Sequence, residues 1–461
     1  MSFMDQFARL ISAADAWLWG PPLLTLLLGT HLFYTIRLKF VQRYCGTAFK
    51  VIAERDRRSG GNVSPFSALA VALASTIGTG NVVGVATAVC LGGPGAVFWC
   101  TITGIFGMAT KYAESLLAVK YRVRDESGEV HGGPMYTILN GLGKRWRWMA
   151  FGFAAVAAVA VLGTGNLVQA NAIATIMRDT FKVPDLVSGI LIALMVALVI
   201  VGGLQSIAKV CTLLVPLMSF VYIAGCLTLL VINYAVLGEA LRTIVKCAFS
   251  AKAAAGGMFG YGFMLAARYG IARGLFSNEA GMGSEPIVAA TARTRNAVRQ
   301  GLVSYAGTFC TIIICSLTGL VVVSSVIASR GAIDIADRGN IITQACFEQI
   351  PYCGKYLLVF AIFAFASTTL FGWFYYGEQC IRFLCPKRWL LVVYKGVYVL
   401  FALLGALGSL AVVWDFSNFA NGLMVIPNVI SVLLLQKVVV AETRKFLWSD
   451  RLSRNDPDCV R

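Results

Sequence analysis

The sequence predicts an all-α integral membrane protein built as a single domain over residues 1–461. Three observations carry this. Hydrophobic residues make up 58% of the chain and charged residues 13%, with a mean hydropathy of +0.75, far from the roughly 25% charged of soluble domains. Apolar runs of about 20 residues, enough to cross a hydrocarbon core of about 30 Å as helix, recur along the whole length. The period-two alternation of a membrane barrel is absent, and lipid offers no partner to the backbone of any other spanning structure.

In chain order the apolar runs fall at 17–36, 66–91, 95–118, 148–177, 186–203, 207–233, 256–277, 302–328, 356–380, 389–411 and 414–436, about eleven transmembrane helices. The run from Trp17 follows a stretch holding Asp5, Arg9 and Asp15. It lacks the basic start and cleavage site of a signal peptide and is expected to stay as an extra N-terminal helix. The ten remaining helices divide into two halves of five, 66–233 and 256–436, with 437–461 as a tail. Five crossings per half force opposite orientations, the arrangement of inverted-repeat transporters. The first helix of each half is interrupted by glycine: Gly78 and Gly80 in one, and Gly256, Gly257, Gly260, Gly262, Gly270 and Gly274 in the other. Matching broken helices point to a binding site at the bilayer midplane, although small residues also serve close helix packing.

The net charge of +17 could suggest nucleic acid as a partner, but Lys and Arg lie mostly in short loops. With the N-terminus outside, the loops 37–65, 119–147, 204–206, 278–301 and 381–388 and the tail from 437 hold most of them. The run Arg37, Lys39, Arg43, Lys50, Arg55, Arg57 and Arg58 is the strongest contribution. Positive charge on the inner side is what orients a membrane protein, here in a plasma (inner) membrane with the C-terminus cytoplasmic. Most of the 13 cysteines sit within apolar segments, where Cys behaves as a small hydrophobe, so no structural disulfide is expected.

Gly78-Thr79-Gly80-Asn81-Val82-Val83-Gly84 resembles a dinucleotide fingerprint only superficially. Three residues, not two, precede the last glycine, and no strand–turn–helix unit surrounds it. Mid-membrane, glycines flanking Thr79 can unwind the helix, freeing N–H groups for a carboxylate and C=O groups for Na⁺, which suits a zwitterion with a cation. The tetrad returns as Gly163-Thr164-Gly165-Asn166, followed by Gln169 and Asn171; an amide at this depth can hydrogen-bond a substrate or join helices. Ser367, Thr368 and Thr369 offer hydroxyl oxygens to an alkali cation or to the carbonyl one turn back, and Trp373 offers a pocket wall. Ionisable residues within the spans are Lys111, Glu114, Arg268, Arg273, Glu279 and Glu285. Lys111 and Glu114, one turn apart, are expected to pair, Arg268 and Arg273 to join gate or scaffold ion pairs near Glu279, and Glu378 to snorkel. With only His31 and His131, no phosphate-loop pattern and no Cys/His metal spacing, the sequence supports neither a hydrolase nor an ATP-driven pump. The energy source is then expected to be an ion gradient, with no cofactor.

Four stretches carry a resemblance: Ser75-Thr76-Ile77-Gly78-Thr79-Gly80-Asn81, Gly92-Gly93-Pro94-Gly95, Gly132-Gly133-Pro134-Met135-Tyr136, and Arg273 through Ser284, with Phe-Ser-Asn-Glu-Ala-Gly-Met-Gly at its centre. The chain resembles the alanine or glycine:cation symporter family from about residue 17 to 440. The resemblance implies the inverted-repeat fold of the bacterial leucine transporter and symport of L- or D-alanine or glycine with Na⁺ or H⁺, and no enzymatic activity. By residue, it implies that Gly78, Thr79, Gly80 and Asn81 touch substrate, with Gln169 and Trp373 lining the amino-acid pocket. Thr76 and Asn81 would form one cation site, and the Ala74 and Ile77 carbonyls with the Thr368 and Thr369 hydroxyls the other. The chain departs from the family at Glu285, where a small residue usually follows Gly-Ser.

Overall fold

The computed structural model describes residues 3–54, 61–249, 262–334, 339–408 and 410–457. Every apolar run read from the sequence falls on helix where it is described. α1 (Phe3–Leu18) and α2 (Pro21–Arg37) are separated at Gly20, and Pro21 occupies the first turn of α2, where a missing N–H costs nothing. Then come α3 (Cys45–Ala53), α4 (Pro65–Thr76), α5 (Thr79–Gly92) and α6 (Gly95–Lys120). Ser64 caps α4, its hydroxyl accepting from the Ser67 N–H. A two-stranded hairpin follows, β1 (Val123–Arg124) against β2 (Val130–His131), and a single turn, α7 (Pro134–Thr137).

The helices α8 (Arg147–Leu162) and α9 (Val168–Phe181) run through a π-turn at Gly163–Leu167. α10 (Asp185–Val201), α11 (Gly203–Ile232) and α12 (Leu237–Phe249) follow. Next are α13 (Phe263–Asn278), the short turn α14 (Pro286–Ala289), α15 (Ala297–Ala328), α16 (Gly339–Glu348), α17 (Gly354–Leu384), α18 (Arg388–Leu407), α19 (Leu410–Leu434) and α20 (Gln436–Thr443). Among the described residues, eight helical stretches are long and apolar enough to cross a membrane.

α4, α5, α6, α15 and α17 form the centre: α6 packs against α13 and α15, α5 against α13 and α15, and α17 against α4, α8 and α11. α2 lies on α6, and α1 on α19. The loops that the charge pattern assigns to one side meet on one face. Arg122 donates to the Ala290 and Ala292 carbonyls (3.0 and 2.9 Å), Asn62 bonds both Thr291 and Val130, and Arg299 pairs with Glu54 at 2.6 Å. The tail joins them: Asn296 donates to the Leu452 and Arg454 carbonyls, and buried Asp456 pairs with Lys120 and Lys445, each at 3.4 Å. At the opposite end Asn233 bonds Ser325 and Gln349, and Trp99 bonds Ala248.

Candidate substrate and cation site

The chain breaks where the glycines stand. α4 ends at Thr76, Ile77 (φ −89°, ψ 89°) and Gly78 (φ −125°, ψ −165°) are extended, and α5 starts at Thr79. A helix C-terminus with unspent carbonyls and a helix N-terminus with unspent N–H groups therefore face one another inside the bundle. The break is held by side chains. Asn81 Oδ1 accepts from the Gly78 N–H at 3.4 Å, while Asn81 Nδ2 is buried with no hydrogen-bond partner among the described residues. A Cβ on Gly78 would lie 2.8 Å from the Thr369 hydroxyl oxygen, so α17 approaches the backbone as closely as it does only because residue 78 lacks one.

α17 brings the other groups. Thr369 Oγ1 donates to the Ala74 carbonyl at 3.0 Å as well as to Phe365 O one turn back, and the Trp373 indole donates to Ser75 O at 3.2 Å. Two of the α4 carbonyls freed by the break thus face α17. Thr368 turns elsewhere, bonding Phe365 O and Met218 Sδ, and Thr76 Oγ1 bonds the Ala72 carbonyl of its own helix. The Ser367 hydroxyl is buried with no partner among the described residues. From the π-turn side, Thr79 Oγ1 donates to Gln169 Oε1 at 3.1 Å, and Gln169 Nε2 donates to Thr164 O. Gly165 abuts the Trp373 side chain. Gly78, Thr79, Asn81, Gln169, Thr369, Ala74 and Trp373 therefore converge on one buried spot; π-turns are common at such sites because they redirect side chains without ending a helix.

The glycines read as interrupting the first helix of 256–436 are described only in part. Gly256, Gly257 and Gly260 lie outside the described residues. Gly270 and Gly274 sit inside unbroken α13, pressed on the α6 backbone at Ala96 and Cys100; they serve close packing, and Gly262 precedes the helix. The ionic partners also differ. Lys111 pairs with Glu285 at 2.7 Å and donates to the Glu279 carbonyl, whereas Glu114 bonds Asn428. Lys111 and Glu114 share a helix face, but the loop after α13 reaches the lysine first. Arg273 lies over the Phe276 ring and against Gly80 and Gly84, its Nε and Nη2 without a partner among the described residues. Glu378 does not snorkel: it is buried and pairs with Lys395 of α18 at 3.5 Å. Such long-range pairings leave no mark in local spacing; the departure at Glu285 was the one signal that the Gly-Ser stretch had acquired an ionic partner.

Outside the bundle, His131 at the end of the hairpin bonds Gln379 Oε1 of α17 through Nδ1 (2.8 Å) and Asp125 Oδ2 through Nε2 (2.9 Å). Hydrogen bonds from the Ser127 hydroxyl, His131 and the Glu129 N–H hold the Asp125 carboxyl well below its ordinary range. Asp125, Glu129 and His131 lie close enough to share a metal ion, but hydrogen bonding already engages His131 and Asp125, and the arrangement latches the hairpin to α17.

The sodium:alanine symporter family profile matches residues 4–459. The chain belongs to the sodium:alanine symporter family. Among relatives, an uncharacterized transporter of Haemophilus influenzae is 44% identical over 98% of both chains. The sodium/alanine symporter AgcS of Methanococcus maripaludis is 43% identical over 95% of this chain and 97% of its own. The probable sodium/glutamine symporter GlnT of Bacillus subtilis is 36% identical over 95% and 90%. The crystal structure of MhsT in complex with L-phenylalanine superposes with a TM-score of 0.60 at 14% identity, covering 86% of this chain and 96% of that one. A sodium-coupled sialic acid symporter gives 0.56 at 13%, covering 93% and 98%. These last likenesses speak for the fold alone, that of the leucine-transporter type. Membership in the family makes the protein a multi-pass membrane transporter rather than an enzyme, and a sodium-coupled symporter of amino acids.

Proposed function

We propose that this symporter carries alanine, and glycine with it, into the cell across the plasma (inner) membrane by alternating access, with Na⁺ as the coupling ion. D-alanine presents the same zwitterion with only the α-hydrogen and the methyl group exchanged, and both are small. The observation that carries the reading is the break at Ile77–Gly78, facing the Thr369 hydroxyl and the Trp373 indole. The first-turn N–H groups of α5 suit the substrate carboxylate. The Ala74 carbonyl and Thr369 hydroxyl suit one Na⁺ with Ile77 O, joined by Thr368 once its hydroxyl leaves Phe365 O and Met218 Sδ, and the Thr76 hydroxyl oxygen, which keeps lone pairs while donating to Ala72 O, suits a second with the Asn81 amide oxygen beside the substrate. Gln169 and Trp373 close the pocket around a small side chain. Charge placement supports an external N-terminus and a cytoplasmic C-terminus, with 17–36 outside two repeats at 66–233 and 256–436.

Uptake of labelled amino acids into proteoliposomes, with Na⁺ replaced by K⁺ at fixed pH, tests the substrate and the ion together. Retained uptake in K⁺ that follows an imposed pH gradient would make H⁺ the coupling ion. Counterflow tests the mechanism: a carrier accelerates exchange of labelled against internal alanine, and a channel does not.

A further inference from the structure

Below the broken helix, four ionisable side chains are enclosed together: Lys111 and Glu114 of α6, and Glu279 and Glu285 of the loop after α13, none more than 4% exposed. Lys111 and Glu285 neutralise each other at 2.7 Å. Glu114 and Glu279 are then left with neutral donors. Glu279 Oε2 accepts from the Ser284 hydroxyl at 2.5 Å, and Glu114 Oε1 accepts from the Asn428 amide, which also bonds Gly281 O. Glu114 Oε2 is buried with no partner among the described residues. Two further polar atoms wait in the same place. The Thr308 hydroxyl, 3% exposed and without a partner among the described residues, lines a narrow cleft with Lys111 and Glu285. His31 Nε2, fully buried, also has no partner among the described residues, while Nδ1 bonds Thr110. Among the described residues, the other ionisable side chains facing the cluster are Tyr34 of α2 and Tyr376 of α17, neither of which supplies positive charge.

All three carboxylates ionised around one ammonium would leave two uncompensated negative charges in the bundle. Each uncompensated ion there costs several kcal/mol even after relaxation. We propose that Glu114 and Glu279 form a proton-binding site, adjoining the substrate and cation positions at the broken helix but using none of their residues, and that both carry a proton in this conformation. The proton sits on a carboxyl oxygen of each, with no other bond made or broken, and leaves to water when the loop after α13 parts from α6. The Trp373 indole lies within reach of both the Glu279 carboxyl and Ser75 O, so loading of Glu279 is felt at the candidate substrate pocket. This coupling rests on the transport reading above; the occupancy does not.

Infrared spectra of the purified full-length protein in D₂O test the occupancy. Protonated carboxyl groups give a C=O stretch apart from that of carboxylates. At neutral pH in K⁺ the protein shows this band, and each of Glu114→Gln and Glu279→Gln reduces it. Gln copies a protonated Glu in shape and charge, so both variants keep the wild-type melting temperature. No band at neutral pH, or a band indifferent to both substitutions, overturns the proposal. In proteoliposomes, the pH dependence of the Na⁺ half-saturation for alanine uptake flattens in both variants; an unchanged profile overturns the coupling. A wild type that moves no alanine would instead sink the transport reading and leave the infrared result standing.

Discussion

One carbonyl oxygen, that of Ala74, shows how the site is to be used. It accepts from Thr369, a bond that a dehydrated cation would replace by turning the hydroxyl's lone pairs inward. Neither oxygen would move far, so the proposed cation site would be set up before the ion arrives. Asn81 stands one step further on, its amide oxygen on the Gly78 N–H and its amide nitrogen without a partner among the described residues. Asn81→Ala is expected to raise the Na⁺ concentration for half-maximal alanine binding on the order of tenfold, about 1.4 kcal/mol. Saturating Na⁺ should rescue the defect, because linkage makes the loss of ion binding and of substrate affinity reciprocal. A sodium titration of equilibrium alanine binding checks this; a defect independent of Na⁺ would mean that Asn81 only ties down the break. In the proposed pocket Trp373, 1% exposed between Ser75 and Gly165, would set the size limit. Trp373→Leu, gentler than truncation to Ala, should let leucine compete with labelled alanine, whereas the wild type should exclude it.

Elements were legible where one stretch of chain decides its own conformation. The apolar runs became helices, and Gly78 marked the break because an extended residue pressed against a hydroxyl favours glycine whatever surrounds it. Gly270 and Gly274 carried the same letters for another reason, contact with the α6 backbone, and spacing cannot separate a break from a close approach. Lys111–Glu285, Glu378–Lys395 and the place of Arg273 depend on which helices meet, which period and composition do not encode. Two elements invite measurement. Asn296 caps α15, accepting from Arg299 N at 3.1 Å, and its amide ties two tail carbonyls. Asn296→Ala should cost about 1–3 kcal/mol, seen as a lower melting temperature in detergent beside Ser64→Ala, a cap with no such second duty. In the hairpin, Asp125 has its carboxyl lowered from 3.8 by the Ser127 hydroxyl first, then by His131 and the Glu129 N–H. The sign follows: its contribution is complete above the unfolded value and vanishes as pH falls through the folded one. Amide exchange in 123–131 should therefore stay slow down to about pH 4 and accelerate in stronger acid in the wild type, and be fast throughout in Asp125→Asn.

At the scale of the whole molecule, the loops assigned to one side by charge meet on one face, and those assigned to the other meet at the opposite end. An impermeant thiol reagent applied to intact cells should label a Cys placed at Ser2 and miss one at Ser453; labelling of Ser453→Cys alone would reverse the orientation. The tail has a consequence in time rather than space. Asp456 and the Leu452 and Arg454 carbonyls fasten loops made more than a hundred residues earlier. Until residues 452–456 emerge from the ribosome, the segments around Lys120 and Asn296 lack their fastening. A nascent chain stalled with residue 450 just outside the ribosome would hold the helices through α20 while the loops on this face are still open to an added protease.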